Sequence, residues 1–467
     1  MHRIVEAWLP SMAVVLLFAG RGIQADAADD ARPSIVILLA DDAGWSDFGF
    51  QGSTGFQTPE LDRLAAQGLV LEACYVTASV CSPSRAGLLT GRHQQRFGHE
   101  YNLPGSAPRR TGGLPLSERT IANRFQDAGY TTGLMGKWHL GLHDSFLPTR
   151  RGFDEFRGLR AGSRSYFGSE KLEESDRAWE RIDEDGRETT PESEIAYITE
   201  LVATESVDFI QRHAAHPFLL VASFTAPHTP MHALPEDLES VPVDLGPERR
   251  RICAAMTIAL DRACGRIVEA VDATGRDSIV IFLGDNGGAT NNGSDNGPWR
   301  GMKGSHFEGG LRVPGIWRST GARSGRIHQP LSVLDIDATI LAIAGADLDG
   351  IDGVDLGPWI EADRSDRPRQ TLHWRRGPVA TIRDGDLKAI RVEGRQTLLF
   401  DLDQDPGETS DLGGDRPGQV VFMLARLAAW ERELAEPGWT TGQRWRDNLL
   451  RKHDQSVVGR DAERGLP

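Results

Sequence analysis

The chain is short of cysteine and lysine, and it carries no excess of positive charge. Each shortage closes off a class of protein. Only four cysteines occur, Cys74, Cys81, Cys253 and Cys264. The last two fall in one helical stretch, eleven residues apart. At ~1.5 Å rise per residue that is beyond the reach of a disulfide. The chain is therefore no disulfide scaffold, and no Cys/His spacing suggests zinc. A formal net charge of −15 argues against nucleic acid as a partner. It does not argue against a small anion, because local cations override net charge. Lysine stands only at positions 137, 171, 303, 388 and 452, among 52 basic residues. Two of these fall inside the motifs below, where a compact ammonium is not interchangeable with a guanidinium. Long apolar runs are scarce too. The N-terminal one, Met12–Ala19, follows Arg3 and precedes Ala25-Asp26-Ala27. This pattern predicts a signal peptide over residues 1–27. The run is too short to span a bilayer comfortably. The expected mature protein is exported, periplasmic or secreted, with no membrane attachment after cleavage.

What remains is a globular chain of 467 residues, 39% hydrophobic, large enough for a substantial core. Four apolar runs, Ser34–Ala40, Tyr130–Met135, Phe218–Phe224 and Asp277–Leu283, read as buried strands. They alternate with helices predicted over 58–68, 120–128, 195–212, 251–271 and 331–344. The alternation predicts an α/β fold: a large, mixed, mostly parallel sheet flanked by helices, over residues 32–360. Residues 160–193 are strongly charged and read as a surface insertion at a pocket rim. Residues 365–467 change texture. Short pieces at 379–383, 387–391 and 397–401 predict a small antiparallel sheet, packed by a helix over 420–434. The tail after Arg446 reads as polar and surface-bound.

The strand ends carry the chemistry. Asp41-Asp42 and Asp285-Asn286 put four oxygen donors after two strands, a set that selects a hard cation, Ca²⁺ or Mg²⁺, over zinc. Lys137 and His139 follow a third strand; alternate residues of an extended segment share a face. His228, between Pro227 and Pro230 after the remaining strand, is placed for acid work. The stretch Cys81-Ser82-Pro83-Ser84-Arg85 opens a helix, with Ser82 read as N-cap, Pro83 as a first helical residue and Gly91 as the stop. Helix N-termini favour anions, and Arg85 lies one turn on.

This stretch, continued by Leu89-Thr90-Gly91-Arg92, resembles the signature of the type I sulfatases, which belong to the alkaline phosphatase superfamily. Lys137-Trp138-His139-Leu140-Gly141 and the block Lys303–Pro314 resemble further sulfatase motifs. Gln94–Glu100 is similar to the N-acetylgalactosamine-sulfatase-like branch. The resemblance implies hydrolysis of sulfate esters, on a sulfated glycan or an aryl sulfate. It implies conversion of Cys81 to formylglycine by a formylglycine-generating enzyme. It also implies a Ca²⁺ ion held by Asp41, Asp42, Asp285, Asn286 and residue 81. One hydroxyl of the hydrated aldehyde then attacks sulfur, while Arg85, Lys137 and Lys303 meet the sulfate charge. His228 protonates the leaving oxygen, and His139 takes a proton so that sulfate is eliminated. Alternative readings are a phosphodiester or phosphonate monoester hydrolase on the same scaffold, and a non-catalytic binder of sulfated glycan. Sugar contacts are expected from Arg96–Asn102, Ser163–Phe167, His232 and Asn291–Trp299.

Overall fold

The computed structural model describes residues 31–103, 112–169 and 177–454. The expected signal peptide lies outside the described residues. So do parts of the acidic stretch and of the C-terminal tail.

In chain order the main strands are β1 (Ser34–Ala40), β2 (Leu69–Leu71), β3 (Thr131–Lys137), β4 (Glu155–Leu159), β5 (Glu180–Asp183), β6 (Gly186–Thr189), β7 (Phe218–Ser223), β8 (Ser278–Gly284), β9 (Gly315–Ser319) and β10 (Gly325–Ile327). They form one ten-stranded sheet in the order β10-β2-β9-β8-β1-β7-β3-β4-β5-β6. The central run from β8 to β4 is parallel throughout, and β9 and β5 join it antiparallel. Successive side chains of a strand point to opposite faces, and β1 shows the result. Ile35, Ile37 and Leu39 enter one core, and Val36, Leu38 and Ala40 enter the other. A strand buried on both faces must be apolar at every position, which is why these runs show no alternation.

Helices α1 (Pro59–Gln67), α2 (Cys81–Thr90), α3 (Ile121–Asp127), α4 (Ile198–His213), α5 (Glu248–Ala273) and α6 (Val333–Ala344) divide between those faces. Ala86, Leu88 and Leu89 of α2 pack with Phe125 of α3 and Ile336, Ile340 and Leu341 of α6 on one side. Leu61 and Leu64 of α1, Phe209 of α4 and Leu260 of α5 fill the other. All four cysteines are buried and free; Cys253 and Cys264 share α5, as the spacing requires.

The structure refines three sequence expectations here. The charged segment after residue 160, read as a surface insertion at a pocket rim, also extends the sheet, through the β5–β6 hairpin that lines a cavity. The small C-terminal sheet has four strands: β11 (Thr371–Arg376), β12 (Val379–Asp384), β13 (Leu387–Val392) and β14 (Leu398–Asp401). Strand β11 is hard to see in the sequence because one of its inward residues is Arg376 beside Leu372 and Trp374. Helix α7 (Pro417–Glu431) covers one face through Met423, Leu427 and Trp430. The tail does not simply lie on the surface. Gln443–Arg451 forms α8, Leu449 packs with Phe307 and Phe400, and His453 is buried.

Candidate active site

Because the central strands run parallel, their carboxyl ends open on one edge of the sheet. Asp41 and Asp42 follow β1, Lys137 ends β3, Ser223 ends β7 and Asp285 follows β8. Helix α2 delivers Cys81 to the same edge. The helix begins at Cys81 itself, with Val80 as N-cap. Ser82 therefore does not cap. Its hydroxyl donates to the His139 carbonyl at 2.8 Å and accepts from His99 Nε2 at 2.7 Å. The whole of α2 is buried.

The predicted residues meet. Cys81 Sγ lies 3.4 Å from Asp41 Oδ1, 3.8 Å from Asp42 Oδ1 and 3.1 Å from Lys303 Nζ. Lys137 Nζ donates to Asp41 Oδ2 at 2.5 Å, and Lys303 Nζ to Asp42 at 2.6 Å. Arg85 turns inward: Nε donates to Asp285 Oδ2 at 2.9 Å, and Nη1 to the Lys137 carbonyl at 3.1 Å and Ser223 Oγ at 2.5 Å. Its Nη2 is buried without a hydrogen-bond partner. Two non-glycine residues of the site hold left-handed backbone, Asp42 (φ 65°) and His139 (φ 60°). Such strain costs roughly 1–3 kcal/mol and clusters at functional sites. The chain has thus left the extended state by His139, and strict alternation does not carry it from Lys137 to His139.

Burial sets the electrostatics. It works to raise Asp41, but Lys137, His228, Arg85 and Lys303 together hold that carboxyl well below the usual range. Burial likewise opposes Lys303 and His228 at Asp42, which ends below its ordinary value. Asp285 goes the other way: burial and the Asp41 charge push it up to about 7 despite Arg85. A bound divalent cation would reverse that penalty. Donor atoms of Asp41, Asp42, Cys81 and His228 lie within 4.8 Å of one another, and Asn286 Oδ1 is a buried acceptor without a partner. This predominantly oxygen donor set fits a hard cation. Burial, then Lys137 and Arg85, keep His139 neutral, well below its ordinary value. Burial also lowers His228, against Asp41 and Asp42. His228 Nδ1–H donates to the Thr229 carbonyl at 2.6 Å, which turns Nε2 toward Asp42, 3.6 Å away.

Several expected sugar contacts face inward instead. Arg164 pairs with Glu192 at 2.6 Å in the interior. The Tyr166 hydroxyl donates to the Thr225 and His228 carbonyls at 2.6 and 2.8 Å, and so fixes the His228 turn. His99 and Glu100 are buried, and Trp299 stacks on Arg312, whose guanidinium lies 3.9 Å from the ring centroid. His232 stays at the rim, beside Phe167. Two supports were not read from the sequence. Ser223 anchors Arg85. Gly162 leaves room for His139, since a Cβ there would sit 2.5 Å from His139 Nε2. Neither has a signal beyond residue type. A cavity of about 850 Å³ lies away from this edge, against the β5–β6 hairpin among paired charges such as Arg157–Asp183.

Residues 33–346 match the sulfatase family model. The chain is 33% identical over 416 residues to N-acetylgalactosamine-6-sulfatase of Mus musculus, covering 82% of this chain and 76% of that protein. Arylsulfatase G of Rattus norvegicus is 31% identical, covering 85% and 86%. Among solved structures, Ps i-CgsB in complex with k-i-k-neocarrahexaose superimposes with a TM-score of 0.80 at 29% identity, over 91% of this chain and 98% of that one. Among the described residues no helix is long and apolar enough to cross a membrane. A family match across two-thirds of the chain and similarity to full-length sulfatases place this chain in the sulfatase family, the hydrolases of sulfate esters.

Proposed function

We propose that this enzyme removes sulfate from a sulfated polysaccharide or oligosaccharide, using formylglycine made from Cys81 and a bound Ca²⁺. The observation that carries the proposal is the meeting of Cys81 with Lys137, Lys303 and three buried carboxylates at one sheet edge. Saccharide is favoured as substrate because a fold neighbour holds a carrahexaose and a curated relative is named for a sulfated amino sugar. Asp41, Asp42, Asp285 and Asn286 would hold the cation. Together with the hydrated aldehyde, it would supply an activated hydroxyl nucleophile.

The chain's own residues do the rest. Lys137 and Lys303 carry the positive charge that meets sulfate oxygens in a site largely cut off from water. Arg85 keeps Asp285 in place. His228, fixed by Thr229 and Tyr166, presents Nε2; protonated there, it gives its proton to the leaving sugar oxygen. His139 is held neutral and so can accept a proton at a ring nitrogen as sulfate departs.

The test is direct. Protein from its native host should carry an aldehyde at position 81 by mass spectrometry. It should cleave 4-nitrophenyl sulfate faster than 4-nitrophenyl phosphate, and Cys81→Ala should abolish turnover. An intact thiol with no hydrolysis would favour the glycan-binder reading. Preference for the phosphate ester would favour the phosphoester hydrolase.

A further inference from the structure

Among the described residues, two cations beside the reaction centre lack a carboxylate of their own. Arg376 points inward from β11, and Lys452 follows α8. Their heads converge on Gly304, the residue after Lys303. A Cβ at Gly304 would lie 2.9 Å from Lys452 Nζ and 3.2 Å from Arg376 Nη1. Arg376 is only 9% exposed; its Nε is buried without a partner, and Nη1 makes one long bond, 3.4 Å, to the Gly304 carbonyl. Lys452 Nζ donates to the Lys303 carbonyl. Among the described residues neither cation forms a salt bridge with a carboxylate, and Asp42, which acts on Lys452, is already held by Lys303. Contrast Lys388, fully buried and bound to both Glu308 and Glu408, or neighbouring Arg446, paired with Glu393.

A buried charge without a counter-ion is costly, and the cost falls when an anion arrives. Burial, with the Arg376 and Lys303 charges, pushes Lys452 down to about 8. Arg376 also lines a pocket of about 80 Å³ with Tyr101, Trp445 and Arg446, and Trp445 is 63% exposed. A flat exposed ring beside cationic donors suits a charged saccharide, whose apolar face can rest on it. The location sets the reach. Lys303 Nζ touches Cys81 Sγ, so this pair stands one lysine side chain from the reacting residue.

We propose that Arg376 and Lys452 form a second anion subsite. It takes an oxyanion, a sulfate ester or a carboxylate, carried on the saccharide unit adjoining the one whose sulfate is removed. The inference rests on the saccharide sulfatase reading and narrows it: the preferred substrate carries two anionic groups on neighbouring units.

The experiment compares kcat/KM of the matured enzyme on four probes. These are 4-nitrophenyl sulfate, a monosulfated disaccharide, the same disaccharide with a second sulfate on the adjoining unit, and its counterpart with a uronate there. Hydrolysis of the first probe alone tests the sulfatase reading, independently of the subsite. The subsite predicts faster turnover of one or both dianionic disaccharides over the monosulfated one. Arg376→Met and Lys452→Met should each cut that preference about tenfold, since a hydrogen bond to a charged group is worth roughly that factor or more. Arg376→Lys, which keeps the charge, should retain part of it. Which dianion is favoured identifies the oxyanion. An equal loss on all four probes would mean that the pair only clamps the Lys303 backbone and would overturn the proposal. Equal wild-type rates on the mono- and dianionic disaccharides would overturn it too.

Discussion

At the scale of single residues, Gly162 is the sharpest case. The space it leaves is filled by the His139 ring, with the imidazole 2.5 Å from where a Cβ would be. Gly162→Ala should move that ring while leaving the sheet intact. Misplacing a reacting group by about 1 Å can cost about a hundredfold. We expect kcat to fall by about that factor, with an unchanged denaturant midpoint; normal kcat would show that His139 is not held against this wall. The residues that meet at the sheet edge were legible because they sit in dense motifs at strand ends: Asp41-Asp42, Lys137 to His139, Asp285-Asn286. Their supports were not. Ser223, Tyr166 and Gly162 are ordinary residue types whose work exists only after distant segments meet. Arg376 shows the reverse problem, since an inward arginine hides the strand that carries it.

At the scale of elements, the C-terminal sheet is joined to the catalytic edge through a buried ionic cluster. Lys388 of β13 bonds Glu308 and Glu408 at 2.8 and 2.9 Å, and Tyr75 donates to Glu308 at 2.5 Å. Burial and the Glu308 charge push Glu408 up to about 7, against Lys388. Burial opposes Lys388 and Arg383 at Glu308, which they hold down to about 2. Lys388→Met leaves two buried carboxylates facing each other. Breaking a buried pair this way costs about 3–5 kcal/mol, so urea unfolding at neutral pH should show a loss of that order. In the variant the folded-state carboxylates titrate higher than in the unfolded chain. The penalty is then full above that raised value and fades as the pH falls below it. A loss that does not shrink in acid would rule out this account. The sequence shows β12, β13 and β14 by their short alternation, yet nothing local says that Lys388 and Glu308 belong together. A contact across 80 residues is a product of topology.

At the scale of the whole molecule, the parallel sheet was the most legible feature, because burial on both faces leaves continuous apolar runs. The same architecture gathers Asp41, Asp42 and Asp285 from strands far apart in the chain, at an electrostatic cost visible in Asp285. If these groups hold Ca²⁺, the ion stabilises the fold by about 2.7 kcal/mol at a hundredfold excess over Kd. Thermal melts should therefore shift upward with added Ca²⁺ and back with EGTA, and Asp285→Asn should blunt the shift. Melts indifferent to both Ca²⁺ and chelator would remove the ion from the proposal. One feature also orders events in time. Every residue of α2 is buried, and Cys81 is 1% exposed. A maturing enzyme cannot grasp a segment packed inside the finished core. On the formylglycine reading, conversion of Cys81 has to precede closure of the fold. A chain that folds first is trapped as a stable thiol form, and no later encounter with the maturing enzyme rescues it short of unfolding.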